Sequence, residues 1–211
     1  MILMDDRNTL PKEDISLRPA CNLCQDSLLT IGQKDDYGSV IICTIGNREN
    51  GWFATISPKT GGDPLQDFTI QLMPLAHLTH FYQVHFYPTL AQNYGLIFAK
   101  VSAAIAQIMI EEQPHFKPIS DSRETAVSIA AYGKATTWKE KKEHLHLKIF
   151  PFRGNIGQPY TVDSTFGKKE IYTDSNTGEE YVKMNPVRKV ALSAERFKVL
   201  AARFISLLSE K

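Results

Sequence analysis

One segment, Lys142-Glu143-His144-Leu145-His146-Leu147-Lys148-Ile149-Phe150-Pro151, constrains the fold more than any other. Apolar residues alternate with polar ones along it. Successive side chains of a β-strand point to opposite faces, so His144, His146 and Lys148 share one face and Leu145, Leu147 and Ile149 the other. A strand with one apolar face has to lie in a sheet whose apolar side is covered by a second layer. Its polar face carries two imidazoles and an ammonium. The residue types alone leave three uses of that face open: a solvated surface, a metal site or a catalytic site.

The remaining pattern supplies the other strands and the covering layer. Residues 38–44 are β-branched and apolar, which favours a strand, and 52–56 resume as a second strand after the turn residues Asn47-Arg48-Glu49-Asn50-Gly51. Asn50-Gly51 is the pair expected to take positive φ there. Residues 57–64 read as a loop and 68–73 as a third strand. From about 90 to 112, Leu96, Ile97, Val101, Ala104, Ile105, Ile108 and Met109 recur at helical spacing, with Pro114 as the stop. Strands are expected over 126–131 and 145–150, and a small hairpin at 171–173 and 181–183. A last helix is capped by Ser193 and carries the stripe Phe197, Leu200, Ala201, Phe204, Leu207 and Leu208, a core or partner face. The order predicts an α+β fold: an antiparallel sheet of about five strands with a long helix packed on it, plus a C-terminal hairpin and helix.

Composition sets outer limits. With 211 residues, 43% of them hydrophobic, the chain can bury a substantial core. A net charge of +1 excludes the polycationic surface of a generic nucleic-acid binder. No run of about 20 apolar residues is evident, and the start, Met1 to Asp6, is too short and acidic for a secretory signal. A cytoplasmic protein without membrane attachment is the expectation. Three cysteines do not make a disulfide scaffold. Cys43, inside an apolar run, reads as a small buried hydrophobe, whereas the Cys21-Asn22-Leu23-Cys24 pair needs another use.

Taken in order, these pieces resemble the histidine triad (HIT) superfamily. His144-Leu145-His146-Leu147-Lys148 with Pro151 is similar to the triad strand. Phe53-Ala54-Thr55-Ile56-Ser57-Pro58 is similar to the family's aromatic-x-Asp-x-x-Pro strand end, and Pro74-Leu75-Ala76-His77 to its Pro-x-x-His. Cys21-x-x-Cys24 matches the pair that opens many HIT chains, and the long helix falls where the family's helix falls. The resemblance covers roughly 21–152. It divides the chain into an N-terminal arm (1–20), a HIT-like domain (21–152) and a C-terminal extension (153–211) packed on the same domain.

The resemblance implies a structural zinc ion held by Cys21, Cys24, His77 and His144, as in zinc-bearing HIT proteins and galactose-1-phosphate uridylyltransferases, with His80 or His85 as substitutes for His77. It implies nucleotidyl transfer through a nucleotidyl-histidine on His146, with a dinucleoside polyphosphate, a nucleoside phosphoramidate or a nucleotide sugar as substrate, and a homodimer. The chain departs from the pattern in three places. Lys148 replaces the third histidine, where the uridylyltransferases carry Gln; beside His146 it would neutralise a phosphate oxygen. Thr55 stands where the ribose-binding Asp belongs. Tyr132 to Trp138 replaces the Asn and Gly-x-Ser/Thr stretch, with Lys134 and Trp138 as candidate phosphate and base contacts. Arg153 and Gln158, just beyond the triad strand, are further candidates by position. These departures leave two other readings open beside the enzyme: a non-catalytic nucleotide-binding protein, and a zinc-stabilised interaction module.

Overall fold

The computed structural model describes residues 10–112, 128–134, 144–152, 169–173, 175, 177–178, 180–184 and 189–209. Its elements are α1 (Lys12–Ile15), α2 (Asn22–Asp26), β1 (Val40–Ile45), β2 (Trp52–Ile56), β3 (Lys59–Thr60), β4 (Ile70–Pro74), a 3-10 helix (Phe81–Phe86), α3 (Pro88–Glu112), β5 (Ser128–Lys134), β6 (His146–Phe152), β7 (Lys169–Thr173), β8 (Glu180–Met184), β9 (Val190–Ala191) and α4 (Ala194–Ser209). This is a mixed α+β arrangement. Five strands form one sheet in the order β1-β2-β4-β6-β5, with every neighbouring pair antiparallel.

The sheet separates two apolar layers by the alternation of its strands. Trp52, Ala54 and Ile56 of β2, Ile70 and Leu72 of β4, and Leu147 and Ile149 of β6 face the main core with α3 and α4. Ile41, Phe53, Met73 and Leu75 face the other way, where Leu23 and Leu29 from α2 and the turn after it pack on them. A bulge in β1 between Ile41 and Cys43 breaks the alternation, so that Ile42 and Cys43 both enter the main core. Cys43 is indeed a buried small hydrophobe.

On the covering side, α3 starts with Pro88, a residue that fits the first helical turn because its missing N–H has no intrahelical partner there. The buried Trp52 indole donates to the Leu90 carbonyl at 2.9 Å and anchors this end. Helix α3 is long and apolar enough to cross a membrane by length and composition, at a mean hydropathy of 1.4. This corrects the expectation that no such run exists. Here Leu90, Ile97, Val101, Ala104, Ile105, Ile108 and Met109 are buried in the core shared with the sheet and α4. Helix α4 is a core element: Leu200, Ala201, Phe204 and Leu208 are buried, and Phe204 meets Phe68 edge-on with ring centroids 5.4 Å apart. The Ser193 Oγ accepts from the Arg196 N–H at 3.2 Å, the expected N-cap. Arg196 and Arg203 tie α4 to Glu112 and Glu111 at the end of α3.

The described part of the N-terminal arm is docked rather than irregular. Leu10 is buried in the main core, and the His77 N–H donates to the Asp14 carbonyl at 2.7 Å. The turn between β1 and β2 also differs from expectation: Gly46, at φ 75°, takes the left-handed conformation, and Gly51 does not. A Cβ at Gly51 would stand 2.5 Å from the carbonyl oxygens of Ile45 and Asn47, so its role is close approach. The expected hairpin forms as β7 and β8. Residues 57–64, expected as loop, include β3, which pairs with β9. Pro114 lies outside the described residues.

Truncating the buried Phe204 removes its contact with Phe68 and leaves a cavity. Phe204→Ala is expected to cost about 3–5 kcal/mol in a urea unfolding titration, whereas Val199→Ala on the exposed face of the same helix should change stability by no more than about 0.5 kcal/mol.

Candidate metal centre and adjoining cavity

Four side chains from three separate segments converge below the sheet surface. Cys21 caps the first turn of α2 and Cys24 lies within it; the Cys24 N–H donates to the Cys21 carbonyl at 3.1 Å, which turns both thiols to one side. His77 follows β4, and His144 precedes β6. Cys21, Cys24, His77 and His144 are exposed by only 2%, 0%, 3% and 2%, and their ligand atoms all lie within 4.8 Å of one another. Cys24 Sγ stands 3.2 Å from His77 Nδ1 and 3.7 Å from His144 Nδ1, and Cys21 Sγ 3.5 Å from His144 Nδ1. Metal–sulfur and metal–nitrogen bonds of about 2.3 and 2.0 Å set tetrahedral edges of about 3.5 Å. The donor set and its spacing therefore fit a tetrahedral divalent cation.

The surroundings orient the ligands. His144 Nε2 lies 2.9 Å from the Pro74 carbonyl oxygen. A carbonyl only accepts, so Nε2 carries the proton and Nδ1 turns its lone pair toward the thiols. The Cys24 thiol is held below its ordinary range, first by the hydrogen bond from Cys21, with His77 acting in the same direction, against the opposing effect of burial. Cys21 is driven the opposite way, as the donor to Cys24 and by burial. The two thiols, hydrogen-bonded to each other and facing the imidazoles, offer soft donors to a cation. His80 caps the 3-10 helix and His85 is exposed within it, so His77 is the histidine that completes the cluster.

Two residues along, β6 presents His146 to a cavity of about 350 Å³ on the face of the sheet opposite α3. The His146 Nδ1 lies 3.1 Å from the His144 carbonyl oxygen. By the same reasoning Nδ1 bears the proton, and in the neutral ring Nε2 bears the lone pair. One wall of the cavity comes from α2 and the turn after it, with Leu23, Asp26, Asp35 and Tyr37; the other carries Lys59 and Lys189; Gln71 joins His146 on the sheet. The segments bearing the two lysines are held together by the β3–β9 pairing and by the Leu192 N–H donating to the Pro58 carbonyl at 3.0 Å.

The structure divides the other expected site residues. Gln71 pairs with Thr55 on one side and with Lys148 on the other, so these three form a row across the sheet. Thr55 does not reach the cavity. It is fully buried, next to Ile41 and Phe53 of the patch on which Leu23 and Leu29 pack, and its Oγ1 has no hydrogen-bond partner among the described residues. The position cannot meet a ribose there. Lys148 is 7% exposed and is not a lining residue of this cavity, so the expected ammonium beside the reacting phosphate is not found at this wall. Lys134 pairs with His146 through the backbone. Trp138, Arg153 and Gln158 lie outside the described residues.

Sequence reasoning missed Asp26, Gln71, Lys59 and Lys189. Gln71 was recoverable, since it sits on the same face as Thr55 once the register is drawn. Asp26 follows Cys24 by two residues in a short helix, and nothing in its sequence neighbourhood announces burial. Yet it is 5% exposed and its pKa is raised from 3.8 to about 7, first by burial and then by Asp35 and Asp36. Comparison with protein-family models, with curated proteins and with solved structures finds no match.

A carboxyl whose folded pKa lies above its unfolded value binds protons more tightly when folded, so it lowers stability as pH rises between the two values. For Asp26 that window runs from about 4 to about 7. Asp26→Asn is expected to raise stability by on the order of 2 kcal/mol at pH 8, with the gain shrinking toward pH 4. Urea titrations of both proteins across that range would measure it, and a pH-independent difference would contradict the assignment.

Proposed function

We propose that the chain is a divergent histidine-triad protein in which a structural zinc ion at Cys21, Cys24, His77 and His144 positions His146 to act on a nucleotide-derived ligand. The observation that carries this reading is the joint placement of two same-face histidines. His144 belongs to the buried Cys/His cluster, and His146, two residues later, opens onto a cavity of about 350 Å³ with its Nδ1 bound to the His144 carbonyl. A site filled by four protein ligands has no open position, which is the mark of a structural ion. Zinc, when bound, would cross-link α2, the segment after β4 and the start of β6, and balance the thiolate charge.

The chemistry follows from the imidazole. With Nδ1 protonated and hydrogen-bonded, Nε2 is the nucleophile. Its lone pair attacks the α-phosphorus; the bond from phosphorus to the leaving atom breaks, and that atom, oxygen in a polyphosphate or nucleotide sugar and nitrogen in a phosphoramidate, departs with the electron pair. A water or a second phosphate then attacks the same phosphorus and releases the imidazole, which takes back the N–P bonding pair. Lys59 and Lys189 line the cavity with positive charge suited to a phosphate. The substrates in view are a dinucleoside polyphosphate, a nucleoside phosphoramidate or a nucleotide sugar.

A second reading, a nucleotide-binding protein without turnover, is favoured by one specific observation. Thr55 and Lys148, at the positions of the ribose-binding carboxylate and the third histidine, are both buried away from the cavity lining. Labelled substrates of the three classes separate the readings. The enzyme predicts an acid-labile label on His146 that is absent from His146→Ala. Binding without label or turnover selects the second reading, and failure to bind any nucleotide contradicts both.

A further inference from the structure

Two acidic side chains line the His146 cavity, and they are differently employed. Asp35 organises its own turn: Oδ1 accepts from the Tyr37 and Ser39 N–H groups, each at 2.8 Å. Asp26 is 95% buried, and its Oδ2 has no hydrogen-bond partner among the described residues. A buried carboxylate oxygen without a donor is costly. Its placement is nevertheless firm: α2 is anchored on one side by Cys21 and Cys24 in the metal cluster, and by Leu23 packed on the apolar patch of Phe53 and Met73. The cavity therefore has a wall that accepts hydrogen bonds, around Asp26, and a wall with positive charge, at Lys59 and Lys189.

We propose that Asp26 determines the specificity of this cavity by accepting hydrogen bonds from the nucleoside part of the ligand while the lysine wall faces its phosphate. This rests on the nucleotide reading and deepens it. Two parts of a nucleoside offer the required donors: the vicinal hydroxyls of the sugar, and the exocyclic amino group of adenine, guanine or cytosine. A carboxylate oxygen can accept from a sugar hydroxyl or from one N–H of an exocyclic amino group.

The test is a cycle of ligand and protein changes read by calorimetry on the full chain with zinc bound. The tightest of AMP, GMP, CMP and UMP is compared with its 2′,3′-dideoxy analogue and, for the amino-bearing bases, with the analogue lacking the exocyclic amine, against wild type, Asp26→Ala and Asp26→Asn. Loss of a hydrogen bond to a charged group weakens binding by about 10- to 100-fold. The proposal expects that loss for the parent nucleotide on Asp26→Ala. It expects the same loss for one of the two analogues on wild type, and little further loss when the two changes are combined. Asp26→Asn keeps the shape of the wall and confirms through its melting curve that the variants are folded. Equal binding of the parent nucleotide to wild type and both variants, or analogue losses that persist undiminished in Asp26→Ala, would overturn the role of Asp26 and leave the nucleotide reading standing. Wild type that binds none of the four nucleotides would overturn that reading and this one with it.

Discussion

The convergence of Cys21, Cys24, His77 and His144 is the constraint on which the rest of the site depends. Each comes from a segment with little regular structure of its own, held also by Leu23, Leu75, Ala76, Leu78 and Leu145 in the apolar layers. Helix α2 is five residues long, too short to be stable alone. The segment after β4 carries no regular structure before the 3-10 helix, and His144 lies just outside β6. What joins these pieces to one another is the cluster, with the His77 N–H on the Asp14 carbonyl and the Leu145 N–H on the Leu78 carbonyl beside it. Four buried polar groups, two of them thiols, would be a poor substitute for an apolar core. As ligands of a cation they would form a cross-link between the sheet and the segment that packs on it.

The cluster sets the cavity from two directions. Along β6, the strand period carries the position of His144 to His146, and the His144 carbonyl fixes which nitrogen of His146 holds the lone pair. Along α2, the turn that presents Cys21 and Cys24 also places Leu23 on the apolar patch and Asp26 at the cavity wall. The two chemical features of the cavity, the His146 imidazole and a buried carboxyl, are thus each within two residues of a member of the cluster. Helices α3 and α4 act on the far side of the sheet, where burial of the β6 residues Leu147 and Ile149 fixes the face that β6 turns outward.

Much of this was legible in the sequence, and the reasons are local. The β6 alternation, the α3 spacing and the α4 stripe are strong periodic signals, and each appears within a few residues of its expected limits. The four clustered residues were legible through the resemblance to the HIT pattern, which put Cys21, Cys24, His77 and His144 together by position. What failed depended on register and on neighbouring layers. Thr55 was expected to face a ligand from its place in a strand-end pattern, but it is buried beside the patch on which Leu23 and Leu29, from a distant segment, pack. Lys148 shares a face with His146 yet sits deeper in the sheet row of Gln71. The pairing of β3 with β9 rests on two residues per strand, too few for a periodic signal, and Asp26 becomes visible only when its surroundings are known.

The central claim, a closed four-ligand metal site that organises the cavity, is tested most directly by X-ray absorption at the zinc edge on the purified chain, with metal content measured on the same sample. One zinc per chain is expected, with a shell of two sulfurs at about 2.3 Å and two nitrogens at about 2.0 Å, and loss of that shell in Cys24→Ser. A chain that takes up no metal, or a shell that contains water oxygens and is unchanged in Cys24→Ser, would contradict it.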